Sequence, residues 1–314
     1  MSLLSLFGVY SLAIVAASLL GGRLPTLVHL SHTRTQLIMS FVAGLMLGIA
    51  GYRLLPHAIF TLGGEEGAVE RAVWWLMIGL LLMFILLRAF HFHQHEPEEV
   101  LEQELHHDHD HRDHKGLDHK GHDHQNHDHH LAHPLSWVGA AVGMTLHTLI
   151  DGIALGAAIK ADAVAAAGGA LSLGVFIAVL LHKPLDSMSI ISLMRASGYT
   201  RKSIVLVNLV FALVCPLGAL LFFWGADVVG VHQSQVVGSA LAFSAGVFLC
   251  ISLSDLLPEV QFHSHDSGKL TLALVLGLAL AYGISHLEPE HGSHDHGSHA
   301  GLEHLPMPAP QAGR

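Results

Sequence analysis

Two short phrases in the chain carry the same chemistry: Leu146-His147-Thr148-Leu149-Ile150-Asp151 and Leu181-His182-Lys183-Pro184-Leu185-Asp186. Each sets an imidazole and a carboxylate four residues apart inside a long apolar run. On a helix, positions i and i+4 share a face, so each phrase aims one nitrogen and one oxygen donor the same way. Two such faces brought together make a site of two His and two Asp, a set that tetrahedral zinc accepts. The same donors bind Cd2+, Fe2+ or Mn2+, and affinity order alone does not choose among them. Asp151, Lys183 and Asp186 fall near the middle of their runs, where an ionisable residue costs about 3 kcal/mol on insertion scales. Pairing of Lys183 with Asp186, three residues on, is the blander reading of the second phrase. The doubled spacing favours a metal instead. Pro184 adds to the case: lacking an N–H, it is expected to kink its helix and free the carbonyl of Leu180 beside the site.

The elements that must position these residues are membrane spans. The chain has 314 residues, is 51% hydrophobic and only 13% charged, and contains repeated apolar runs of about 20 residues, the length that crosses a bilayer as a helix. Eight spans are predicted, at 3–22, 37–57, 72–90, 136–159, 169–194, 203–224, 235–257 and 270–287. Residues 1–22 lack a basic leading stretch and a small-residue cleavage site, so the first span is expected to be retained. The formal net charge of −10 lies mostly outside the spans, and no basic block of the kind that tracks phosphates is present, which sets nucleic-acid binding aside. Cys215 and Cys250 both fall inside apolar runs, which argues against a disulfide framework or a thiolate zinc module.

Eight spans put both termini on one side. Ten Lys and Arg residues fall in the loops after spans one, three, five and seven, and Arg71, Lys160 and Arg314 on the other side. The positive-inside tendency therefore places the termini outside the cell. A repeat accompanies this topology. At an offset of 202, residues 41–57 match 243–259 at eight of seventeen positions, including Ala43-Gly44 and Leu54-Leu55-Pro56. Span two runs outward and span seven inward, so the match implies an inverted repeat of 3+2+3 helices, with the two His/Asp phrases on the central antiparallel pair.

Residues 91–133 hold fifteen histidines among Asp and Glu, with no apolar period. Such a segment buries no core and is expected to be a disordered cytoplasmic loop that binds metal weakly and at many points; a merely solvating linker is the alternative. The division expected is helices one to three in 1–90, the loop in 91–133, helices four to eight in 134–287, and a second His-rich disordered tail in 288–314.

These features together resemble the ZIP zinc- and iron-regulated transporter family: eight spans, outward termini, a His-rich loop between spans three and four, and His147-Thr148-Leu149-Ile150-Asp151-Gly152 followed by His182, Lys183 and Asp186 on the next span. The family pattern on span four reads His-Asn-x-x-Glu-Gly. Ser244-Ala245-Gly246 and Leu256-Leu257-Pro258-Glu259 also look like its seventh span. The resemblance implies an all-α integral membrane protein with a metal site between helices four and five, and import of zinc as substrate with no cofactor. Many members bind a second ion through the Asn of span four, the residue after His in span five, and a Glu before Pro in span six. This chain has Thr148, Lys183 and Cys215 there. A lysine ammonium repels a second cation, so one ion is expected, and the chain looks closer to the ZIP-nine-like subgroup than to the binuclear members.

Two other readings stand beside import. A cation diffusion exporter also uses His-x3-Asp pairs, but on the second and fifth of six spans rather than on consecutive ones among eight. An intramembrane metal-dependent hydrolase needs an open coordination position and a general base. For import, His57 at the outer end of span two is a candidate for the entrance, and Asp255 and Glu259 at the inner end of span seven are candidates for the exit. The partners implied are metal ions and the lipid bilayer of the cell membrane; a homodimer stays open.

Overall fold

The computed structural model describes residues 3–24, 32–64, 66–91, 136–165, 170–262 and 267–286. The expected His-rich loop, from residue 92, and the tail from 288 lie outside the described residues, as do the side chains of Asp255 and Glu259. Among the described residues every regular element is helical, and eight helices are long and apolar enough to cross a membrane. They are α1 (Leu3–Gly21), α2 (His32–Ile49, continued through a π-helical turn at Ala50–Leu54 into Leu55–Thr61), α3 (Glu66–His91), α4 (Ser136–Ala165), α5 (Ala170–Ala196), α6 (Arg201–Val229), α7 (Gln233–Phe262) and α8 (Ser267–Ser285).

Several helices outrun the apolar stretches that announce them. α4 continues past Lys160 and Asp162 to Ala165, and α3 starts six residues before residue 72. Hydropathy falls where side chains meet the interface, whereas the backbone ladder continues until something stops it. Between α6 and α7 the stop is Gly230, at φ +58°, a left-handed conformation that favours glycine. α5 runs as one element through Pro184. In α2 the π turn precedes Pro56: the N–H of Leu55 donates to the carbonyl of Ala50, one residue further back than in an α-helix. That slip accommodates the proline without ending the helix.

Because lipid is as apolar as leucine, close backbone contact selects the buried faces. α1 shows it plainly: Phe7, Tyr10, Ile14, Ser18 and Gly21, spaced by three and four, are its buried residues. Tyr10 stacks on Phe176 of α5 with centroids 4.1 Å apart, and Gly21 lies against the backbone of Pro184, where a Cβ would clash. Two helix groups result. In one, Gly44 of α2 lies against the carbonyl of Leu274 in α8, Gly277 against that of Phe41, Gly246 of α7 against that of Leu76 in α3, and Gly79 against that of Phe243. In the other, α4 and α6 interlock through Gly152 on the carbonyl of Cys215 and Gly218 on that of Leu149, with α1 laid along α5. The His/Asp phrases belong entirely to this second group, on α4 and α5.

Candidate metal site

The i, i+4 spacing does on both helices what it promises. His147 and Asp151 on α4, with His182 and Asp186 on α5, present one donor atom each, and these four atoms lie within 4.8 Å of one another. The Nε2 of His147 is 3.5 Å from Asp151 Oδ2 and 3.6 Å from Asp186 Oδ2. The Nε2 of His182 is 3.2 Å and 3.9 Å from the same two oxygens. Donor atoms around a tetrahedral zinc at its usual bond lengths are about 3.4 Å apart. The four separations above, 3.2–3.9 Å, bracket that value, and all the donors fall within 4.8 Å of one another.

His182 is held by its other nitrogen. Its Nδ1 lies 2.7 Å from the carbonyl of Ala178, one turn back on α5. A carbonyl only accepts, so Nδ1 donates, which fixes the ring and turns Nε2 toward Asp151 Oδ2 at 3.2 Å. Asp151 is fully buried, and its Oδ1 has no hydrogen-bond partner among the described residues.

One cation is supplied by the chain. Lys183, fully buried, donates from Nζ to Asp151 Oδ2 at 2.9 Å, to Thr148 Oγ1 at 2.9 Å and to Asp186 Oδ2 at 3.1 Å, and lies 5.4 Å from the ring centroid of Phe211 on α6. The pairing of Lys183 with Asp186 expected as the blander reading is thus present. It coexists with the four-donor cluster because the lysine also reaches across to α4. Cys215 is buried on α6, with its backbone carbonyl against Gly152, and no thiol belongs to the four-donor group. His57 lies on α2 outside that group, its Nδ1 2.9 Å from the carbonyl of Arg53.

Sequence reasoning passed over three side chains. Asp162, buried near the end of α4, accepts from the N–H of Ser172 at 2.8 Å, capping the first turn of α5 and tying together the two helices that carry the donors. Arg53, buried in the π turn of α2, directs Nη1 to the carbonyl of Ser285 at 3.4 Å. Phe211 is the third. A lone Asp near a span end, an Arg within a span and one Phe among many give no periodic signal, so only the partner helix reveals what they do.

The family model for the ZIP zinc transporter matches residues 4–285. The chain belongs to the ZIP zinc transporter family. Among its relatives, zinc transporter ZIP9-B of Xenopus laevis is 27% identical over 307 residues, covering 88% of this chain and 90% of that protein. Zinc transporter ZIP9 of Micropogonias undulatus is 34% identical over 170 residues, 48% of this chain and 53% of that one. Zinc transporter ZIP10 of Homo sapiens is 30% identical over 133 residues, 42% of this chain and 15% of its own. ZIP membership makes the chain one of a family of multi-pass transporters, not of enzymes, and sets aside the hydrolase and the cation diffusion exporter.

Proposed function

We propose that this ZIP protein carries zinc into the cytoplasm through one ion site made by His147, Asp151, His182 and Asp186. The observation that carries the reading is the convergence of these four donors, from the two central helices, at zinc-like spacing. Two aspartates and one lysine give the group a formal charge of −1, so one divalent ion brings it to +1. A second ion at the separation usual for two-metal sites, about 4 Å from Nζ, would meet about 8 kcal/mol of repulsion from the ammonium at an effective dielectric constant of about 20. Lys183 therefore stands where binuclear members hold their second ion.

Alternating access supplies the motion. The donors sit in the α1, α4, α5 and α6 group, and the proposal is that this group moves against α2, α3, α7 and α8. Two glycine contacts favour the inverted repeat that such motion needs. Gly44 on Leu274 and Gly246 on Leu76 are the same contact made twice, since the first partners differ by 202 positions and the second by 198. An ion enters by way of His57 and leaves past Asp255 and Glu259 toward the His-rich loop of residues 91–133, which gathers it weakly; the termini and the 288–314 tail face outward from the cell membrane.

The test is metal uptake into reconstituted vesicles, with zinc, cadmium, iron and manganese in competition and Asp186→Ala beside the parent. Zinc accumulation by the parent and its loss in the variant are expected. Equal uptake by both would sink the site, and net zinc loss from cells expressing the parent would reverse the direction.

A further inference from the structure

On the membrane face of α4, α5 and α6 lies a groove of about 210 Å³, lined by Ala141, Thr145, Ile190, Leu206, Val210 and Phe211 among others. It is smaller than the roughly 300 Å³ at which pockets for drug-sized molecules begin, a size that suits a single extended chain better than a ring system. Its lining offers nothing polar: the one hydroxyl, that of Thr145, is already donated to the carbonyl of Ala141 at 2.6 Å. Leu206 and Val210, its outer rim, are 60% and 57% exposed, so the groove opens to lipid.

The charge at one end of the groove singles it out from ordinary lipid-facing surface. Lys202, Leu206 and Val210 are spaced i, i+4, i+8 on one face of α6, which sets Lys202 about 6 Å along the helix from the rim. Arg201 precedes it, and Arg195 ends α5 across the short turn; all three are exposed. No acidic residue occurs between Asp186 and Asp227, so this basic end has no carboxylate from its own helices to neutralise it. The first turn of α6 adds the positive end of its dipole, with Thr200 as N-cap accepting from the N–H of Ser203 at 3.3 Å.

We propose that the groove holds an acyl chain of an anionic phospholipid whose headgroup phosphate is gripped by Arg201 and Lys202. Basic residues beside a membrane surface attract anionic lipid, and here the charge is in line with a slot for the tail. The site does not depend on the transport reading. Its inner wall, however, is Phe211, whose ring faces Lys183 Nζ. A chain seated in the groove therefore supports the ring against which the lysine of the metal site rests.

The experiment uses the full chain in phosphatidylcholine vesicles doped with a phosphatidylglycerol or a phosphatidylcholine probe bearing a photoreactive acyl chain, with the labelled peptides read by mass spectrometry. The phosphatidylglycerol probe is expected to label the α6 peptide around Leu206–Val210 well above the neutral probe. Arg201→Gln with Lys202→Gln should cut that labelling by about fivefold for each charge removed. Val210→Trp, which fills the groove from its exposed rim, should cut labelling while leaving the headgroup residues intact. Equal labelling by both probes, labelling indifferent to all these substitutions, or cross-linking of α6 to a second copy in place of lipid would each overturn the proposal. Because the readout is lipid attachment, a failure here leaves the zinc-uptake test untouched, and the reverse holds.

Discussion

The phrase on α4 and its copy on α5 have the same spacing and unequal surroundings. Asp151 is wholly enclosed and meets Lys183, His182 and His147; the Asp186 side chain is 13% exposed and meets the same lysine and both imidazoles at longer distances throughout. The α5 copy brings its own cation, yet that cation's shorter carboxylate contact is with α4. Duplication thus supplies four donors at matched spacing, and the lysine in one copy makes the carboxylate of the other a structural partner. Asp151 compensates a buried charge from an enclosed position, whereas Asp186 keeps a partly open one and, on the proposed function, borders the ion's route.

Substitution separates the two aspartates most directly. Asp151→Ala strips a buried ammonium of its nearest carboxylate, a change of the kind that costs about 3–5 kcal/mol. It should abolish zinc uptake and lower the unfolding temperature of the detergent-solubilised protein as well. Asp186→Ala should abolish uptake with far less loss of thermal stability, since Lys183 keeps Asp151; equal destabilisation of the two variants would erase the proposed division of roles. The next test is stoichiometry. Titration with zinc under equilibrium dialysis should give one ion per parent chain, and two would remove the argument from Lys183. A weaker lever is acidity: protons compete with metal for imidazole nitrogens, so uptake should decline as the medium is acidified. A monotonic rise with acidity would point to proton coupling. The smallest effect expected is at Asp162→Ala, which removes the cap on α5 and should cost about 1 kcal/mol of stability, with the metal stoichiometry unchanged.

How far the site can be read without coordinates follows from what sets each feature. His147, Asp151, His182 and Asp186 were legible because helical spacing and the cost of charge in a membrane are local facts. Lys183 was legible as a charge, and its expected partner Asp186 was found; its reach to Asp151 and Thr148 depends on how closely α4 and α5 approach, which no local pattern encodes. The eight helices were legible from hydropathy, but their ends were not, because α4 and α3 extend into regions where side chains turn polar while the backbone remains helical. The choice of helix partners was the least legible. Glycines such as Gly152 and Gly218 advertise a close approach without naming the helix that makes it.

The four-donor group contains imidazole and carboxylate only; the two thiols of the chain, Cys215 and Cys250, are buried outside it, Cys215 on the stretch of α6 that packs against Gly152. Neither histidine nor aspartate is readily oxidised, whereas a thiolate ligand would climb the sulfenic and sulfinic ladder under peroxide. On the proposed site the ion is held by ligands less open to oxidation than thiolate, and zinc capture should persist through an oxidative burst that would strip metal from a cysteine-built site.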